Sequence, residues 1–338
     1  MRLGVCGMIP GEFVQTCGQD LDAIRALGLS GAAFHYAGDK MSQLNADDLR
    51  NVRQTFETAE MDLVQFGIGF GECLFDPDAS VRERVIEKIE SGIEVARQLN
   101  AMGCLIRTGS LNPAGSYVPS RENRTPDARA QLVDTLKAVA AKAETEGVDV
   151  VIETHVLTIM GTPEINRDVL ADVGSARMSV VMDYVNHFQN LDQVYDSTKR
   201  IEHIFSIMNP ISILGHCKDI KMSPGLVLHI DEEIPGDGEL DLATLKEHEE
   251  ATKVKNINRV VMGQWQMETW SPSKALRRGV QPLLAVLVMS AAAPTSSSHL
   301  HTERWPFWQA MNMGVTPLLF ALVMSAAAPT SNSHLHTD

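Results

Sequence analysis

The sequence predicts an α/β fold: a (β/α)8 TIM barrel over residues 1–278, followed by an extra C-terminal tail, 279–338, that contains a duplicated segment. Three observations predict it. Short apolar runs ending in Gly or a polar residue alternate with amphipathic Ala/Leu/Glu/Arg-rich stretches through the first 270 residues, the pattern of strand–helix units in a parallel sheet. Eight such runs occur, the number that closes a barrel. The runs are nearly continuous in apolar character, as expected of strands covered on both faces. An open, doubly wound sheet is disfavoured, because no Gly-rich phosphate fingerprint follows the first strand.

Taken in order, strands are expected at 3–7, 32–35, 63–67, 104–109, 148–155, 179–185, 211–218 and 259–268. Each is a β-branched or apolar run bounded by turn residues. Helices are expected at 21–27, 46–59, 80–100, 126–146, 163–173, 191–207 and 242–252, where apolar residues recur at helical spacing. Pro126 and Pro163 stand where proline suits a first helical turn.

The tail breaks the pattern. Residues 279–302 and 314–337 are near-copies offset by 35 positions and differ at four of 24. Each ends S-A-A-A-P-T-S-x-S-H-L-H-T, a Ser/Thr/Pro-rich composition that reads as linker rather than core. Two copies are too few for a solenoid.

The formal net charge of −14 argues against nucleic-acid partners, which require phosphate neutralisation by Lys and Arg. Five cysteines without a C-x-x-C pair fit reduced thiols rather than disulfides or a zinc knuckle. The N-terminus is too soon interrupted for a signal peptide, and no apolar run reaches the roughly 20 residues of a membrane span. A cytoplasmic protein with no membrane partner is expected.

In such a barrel the reacting groups sit at the C-terminal ends of the strands. The last four predicted strands carry Glu153, Asp183, His216 and Glu268 at those ends. Charges that close apolar runs are costly to bury unless paired or bound to a cation. Three carboxylates and an imidazole suit one divalent metal ion: Mn2+, Mg2+, Co2+ or Zn2+. Lys218 shares a strand face with His216, and His155 shares one with Glu153, by the two-residue strand period. Both are candidate substrate contacts, with Arg107 in R-T-G-S, Asn186, His187 and His229.

Over residues 1–275 the chain resembles the sugar phosphate isomerase/epimerase superfamily with the xylose-isomerase-like barrel, which includes ketose 3-epimerases, hydroxypyruvate isomerase and inosose dehydratase. The motifs that carry the resemblance are I-E-T-H (152–155), M-D-Y-V-N (182–186), G-H-C-K-D (215–219) and P-G-D-G-E-L-D (235–241). The resemblance implies that Glu153, Asp183, His216 and Glu268 are the metal ligands. It also implies that Glu153 and Glu268 face the substrate carbon from opposite sides as catalytic acid and base, and that the chain can form a homo-oligomer. A metal that binds a substrate carbonyl and its neighbouring hydroxyl acidifies the C–H between them and stabilises an enediolate. Returning the proton to the other face is epimerisation, and returning it to the neighbouring carbon is isomerisation. Loss of a β-hydroxyl is dehydration. The expected function is therefore a metal-dependent isomerase or epimerase of a sugar, sugar phosphate or polyol. A lyase on the same metal site and a non-catalytic sugar-binding barrel are the alternatives. The family's ketose 3-epimerases carry an Arg shortly after the metal-binding His. Here H-C-K-D-I-K stands in that place, closer to the dehydratase and general isomerase members.

Overall fold

The computed structural model describes residues 2–254 and 260–264, with side chains from 3 to 248. Seven strand–helix units follow one another: β1 (Arg2–Cys6), α1 (Gly18–Arg25), β2 (Gly31–Ala37), α2 (Ala46–Thr58), β3 (Asp62–Gly69), α3 (Ala79–Leu99), β4 (Cys104–Arg107), α4 (Pro126–Glu146), β5 (Val150–Glu153), α5 (Pro163–Val173), β6 (Met178–Met182), α6 (Leu191–Tyr195), α7 (Ser197–Met208), β7 (Ser212–His216) and, after an inserted hairpin, α8 (Leu242–Val254). The hairpin strands are β8 (Asp219–Ser223) and β9 (His229–Glu233), and the last strand is β10 (Val260–Gln264). Strands β1 to β7 and β10 form a closed parallel barrel, with β10 pairing with β7 on one side and β1 on the other. This is the barrel expected from the alternation. The expected tail, 279–338, lies outside the described residues.

Two apolar layers hold the barrel. Inside, Ala33, Val64, Leu105, Val151, Val181 and Leu214 fill the lumen as a plug. Outside, strand residues such as Phe66, Ile106, Ile152 and Val180 pack under the helices with Ile89, Ile93, Leu132, Leu136 and Ile204, all fully buried. An eight-stranded barrel is just wide enough for side chains to fill it, so small and branched residues suit the plug.

The helices start where their caps dictate. Asn45, Asp78, Thr125, Thr162 and Asn190 each accept a backbone N–H of the following first turn. Pro126 and Pro163 occupy the first turns as expected. Helices α4 and α5 end on Gly147 and Gly174 in left-handed conformation (φ 69° and 76°), and α3 ends on Asn100 (φ 56°).

Two details depart from the sequence reading. The helix expected at 191–207 is two helices, because the chain leaves helical geometry at Asp196 (φ −109°, ψ 54°). The segment after His216 turns into the antiparallel β8–β9 hairpin, with Asp219 opposite Glu233 and Ser223 opposite His229. The charged sequence H-I-D-E-E hides this second strand, because its outward positions are all polar and no apolar run marks it.

Candidate metal centre

A two-residue step along each strand builds the site. Residues of the plug point into the lumen, and in a strand the residue two further on points the same way. From Val151, Val181 and Leu214 that step reaches Glu153, Asp183 and His216, at the C-terminal ends of β5, β6 and β7. From Leu105 it reaches Arg107 and from Ala33 it reaches His35. One polar layer therefore sits directly above the apolar plug.

Glu153, Asp183 and His216 each offer a donor atom, and these atoms all lie within 4.8 Å of one another. His216 Nδ1 is 3.1 Å from Asp183 Oδ2 and 3.5 Å from Glu153 Oε1. On its other side, His216 Nε2 lies 3.1 Å from Gln65 Oε1 of β3. Gln65 is buried and was not expected from the sequence. Its amide oxygen can accept the Nε2–H, which turns Nδ1 toward the two carboxylates, the kind of outer support that orients metal-binding histidines.

Two cations flank the cluster. Arg107 Nε is 2.5 Å from Glu153 Oε2. Lys218, only 6% exposed, places Nζ 3.0 Å from Asp183 Oδ2 and 3.1 Å from Glu232 of β9. The electrostatics follow. Burial pushes the Glu153 carboxyl up, but Arg107, His216 and Lys218 outweigh it and hold Glu153 well below the usual carboxylate range. Asp183 is likewise held down against its burial, chiefly by Lys218 and His216. Burial alone would lower His216, yet the hydrogen bonds and charges of Asp183 and Glu153 raise it to about 9.

The residues fit a divalent metal. Asp183 is fully buried and, among the described residues, its Oδ1 has no hydrogen-bond partner, a costly state for a carboxylate oxygen. Two carboxylates and an imidazole are a hard-to-borderline donor set suited to Mn2+, Mg2+, Co2+ or Zn2+. The fourth expected ligand, Glu268, lies outside the described residues.

The expected substrate contacts divide. Arg107 and Lys218 pair with the carboxylates of the cluster, and His155 follows Glu153 by two residues at the end of β5. His155 stacks on Tyr117 (centroids 5.4 Å apart, planes at 23°), and the Arg107 guanidinium lies over the same ring at 5.2 Å. Tyr117 comes from the loop between β4 and α4, which Asn123 pins by accepting from Leu111 N. Asn186 is half-buried, and its carbonyl accepts from Val156 N, tying the β6 loop to the β5 loop. Two of the expected contacts lie apart from the cluster. His187 is fully enclosed, 3.3 Å from the Thr154 hydroxyl, where it braces the loops after β5 and β6. His229 is exposed at the start of β9, three residues toward the hairpin tip from Glu232, or about 10 Å along the strand.

The P-G-D-G-E-L-D loop also has a physical role. Asp219 is buried, and its carboxylate accepts four backbone N–H groups, from Ile220, Gly236, Gly238 and Leu240. A Cβ on Gly238 would overlap that carboxylate. The motif wraps a buried aspartate and contributes no residue to the Glu153–Asp183–His216 cluster.

The profile of the xylose isomerase-like TIM barrel family matches residues 21–281. Among solved structures, the chain is similar to the 3-keto-D-glucoside 4-epimerase of E. coli, at TM-score 0.58 and 15% identity over 82% of this chain and 96% of that one. It is similar to the D-psicose 3-epimerase of Clostridium cellulolyticum H10, solved with D-tagatose, at TM-score 0.58 and 14% identity over 80% and 87%. It is also similar to the probable 3-DHS dehydratase of Bacillus anthracis, at TM-score 0.59 and 12% identity over 83% and 97%. At these identities the likeness establishes the fold. Among curated relatives, 52 residues are 50% identical to a stretch of histone acetyltransferase of the MYST family 2 from Arabidopsis thaliana, 15% of this chain and 12% of that protein. The chain thus spans about an eighth of that relative, and the likeness is local.

Proposed function

Since the chain belongs to the xylose isomerase-like TIM barrel family, we propose that it is a divalent-metal-dependent isomerase or epimerase of a sugar, sugar phosphate or related polyol. The observation that carries the reading is the Glu153–Asp183–His216 cluster, with its buried Asp183 Oδ1, unpartnered among the described residues. Glu153, Asp183 and His216 would hold the ion, joined by Glu268 in the expected ligand set. A divalent ion there supplies positive charge that acidifies a C–H next to a substrate carbonyl. Glu153 is the base that takes this proton. Its Oε2 is held by Arg107, which keeps the carboxylate ionised and fixes its orientation. Glu268 is the expected partner that returns a proton to the opposite face.

A lyase acting on a keto-sugar or keto-polyol is the second reading, and Lys218 favours it. A buried ammonium beside Asp183 can donate a hydrogen bond to a departing β-hydroxyl and offset charge on a substrate oxygen, while its carboxylate partners keep it protonated.

Metal content after dialysis tests the first reading. About one equivalent of Mn, Co, Mg or Zn per chain is expected in the wild type and its loss in His216→Ala. No metal in the wild type, even after divalent ions are added back, would sink it. Incubation of candidate ketoses in D2O then tests the chemistry: deuterium should enter next to the carbonyl, and Glu153→Gln should abolish the exchange. Product mass separates the two readings, because a lyase removes water and an isomerase leaves the mass unchanged.

A further inference from the structure

The polar layer above the plug holds a residue that neither the motifs nor the metal cluster uses. His35 lies in the C-terminal half of β2, two residues beyond the plug residue Ala33, so its imidazole faces the mouth. Around the closed barrel the order is β1, β10, β7, β6, β5, β4, β3, β2, which sets β2 four strands from β6 in either direction. His35 therefore stands diametrically across the mouth from Asp183, the middle member of the cluster. In an eight-stranded barrel the two walls are close enough for one small molecule to touch both.

The place is built for that ring. His35 pairs in register with Gly67 of β3, and a Cβ on Gly67 would overlap the imidazole. His35 Nδ1 lies 3.9 Å from the Cys6 Sγ of β1. Burial pushes the Cys6 thiol up to about 11, so it keeps its hydrogen, and its sulfur already accepts the backbone N–H of Gly7. The S–H is then left to donate to Nδ1. His35 is exposed at the mouth; desolvation by the surrounding barrel wall, with the charge of Arg107, lowers it to about 4, so the ring is neutral at physiological pH and carries one N–H. Among the described residues His35 Nε2 has no partner.

We propose that His35 is a specificity-determining substrate contact: Cys6 fixes its Nε2–H tautomer, and that N–H donates to an oxygen of the sugar or polyol on the wall opposite the metal cluster. This rests on the reading of the site as a sugar enzyme, and it assigns the hydroxyl or carbonyl oxygen remote from the reacting carbon to His35. A neutral imidazole there holds and orients substrate and transfers no proton.

The test is long-range 1H–15N NMR of the imidazoles in the Mg2+-loaded protein, with D-fructose at molar concentration as the probe. The Nε2–H tautomer is expected for His35 in the free protein, with an Nε2 shift on adding D-fructose. Cys6→Ala should mix the tautomers and Cys6→Ser should preserve the wild-type one. Gly67→Ala, which displaces the ring while leaving every polar group in place, should weaken D-fructose binding about tenfold, as should His35→Phe, the loss of one hydrogen bond. His35→Gln, which keeps a donor at the Nε2 position, should restore most of it. Metal content should stay at wild-type level in all five variants. An Nδ1–H tautomer, or an Nε2 unmoved by D-fructose, overturns the proposal. Absence of metal in the wild type strikes instead at the proposed function, and the tautomer result stands apart from it.

Discussion

At the scale of single residues, the polar layer of the barrel is a set of charges that balance only in place. Lys218 lies between Asp183 and Glu232, and each of the three compensates another. Lys218→Met would leave Asp183 buried with His216 alone beside it, a loss of about 3 kcal/mol of stability. Urea unfolding in EDTA should read that loss, and Mn2+ should reduce it by taking over the neutralisation. An equal loss with and without Mn2+ would separate Lys218 from the metal cluster. Asp219 belongs to a different economy. Asp219→Asn would turn an NH2 toward two backbone N–H donors and should cost about 2–3 kcal/mol, with metal content unchanged. Glu153, Asp183 and His216 were legible in the sequence because each closes an apolar run. Gln65 and His35 were not, because each sits in a strand whose neighbours gave them no special mark. The signal was there in the period, two residues on from Ala33 in the case of His35, but only the register says which alternate residues face the lumen.

At the scale of elements, caps and brackets place the loops that carry the mouth. Thr162 accepts from Ile165 N at 3.2 Å to start α5, directly after the loop that leaves β5. Thr162→Ala should cost about 1 kcal/mol in thermal or denaturant unfolding. No measurable change would show that Pro163 and the packing of Val169 suffice. Asp241 starts α8, accepting from Ala243 N and Thr244 N and from the Thr198 and Thr244 hydroxyls. Those hydroxyls, Thr198 first, hold its carboxyl below its ordinary value of 3.8. A depressed native carboxyl stabilises the fold above its unfolded pKa and loses that contribution as pH falls through the native value. The wild type should therefore lose more stability than Asp241→Asn below pH 3.8, and an identical acid limb in the two proteins would refute the linkage. The helix starts were readable in advance from Thr125-Pro126 and Thr162-Pro163. The β8–β9 hairpin was not, since β9 is largely solvent-facing and β8 buries only Asp219 and Ile220, too short a stretch to read as an apolar run.

At the scale of the whole molecule, the plug joins strands that are far apart in sequence, so its residues report on closure of the barrel. Leu214→Ala, inside the lumen below His216, should cost about 2–5 kcal/mol and loosen the metal cluster above it. Circular dichroism melts and metal content, read together, check this; full stability with a cavity in the plug would mean that the outer helices alone hold the barrel. The sequence by itself determined the alternation of strand and helix, the count of eight, and the chemistry at the ends of β5, β6 and β7. These follow from local rules: period two in a strand, 3.6 in a helix, and the cost of closing an apolar run with a charge. Only the tertiary structure decided which residues meet. Gln65 lies 151 residues from the His216 it supports, and His35 faces Asp183 across a lumen that exists only once β10 has paired with β1. It likewise turned P-G-D-G-E-L-D from a candidate signature into a cradle of N–H groups around Asp219, because a backbone donor has no sequence of its own and is assigned only by where the chain folds.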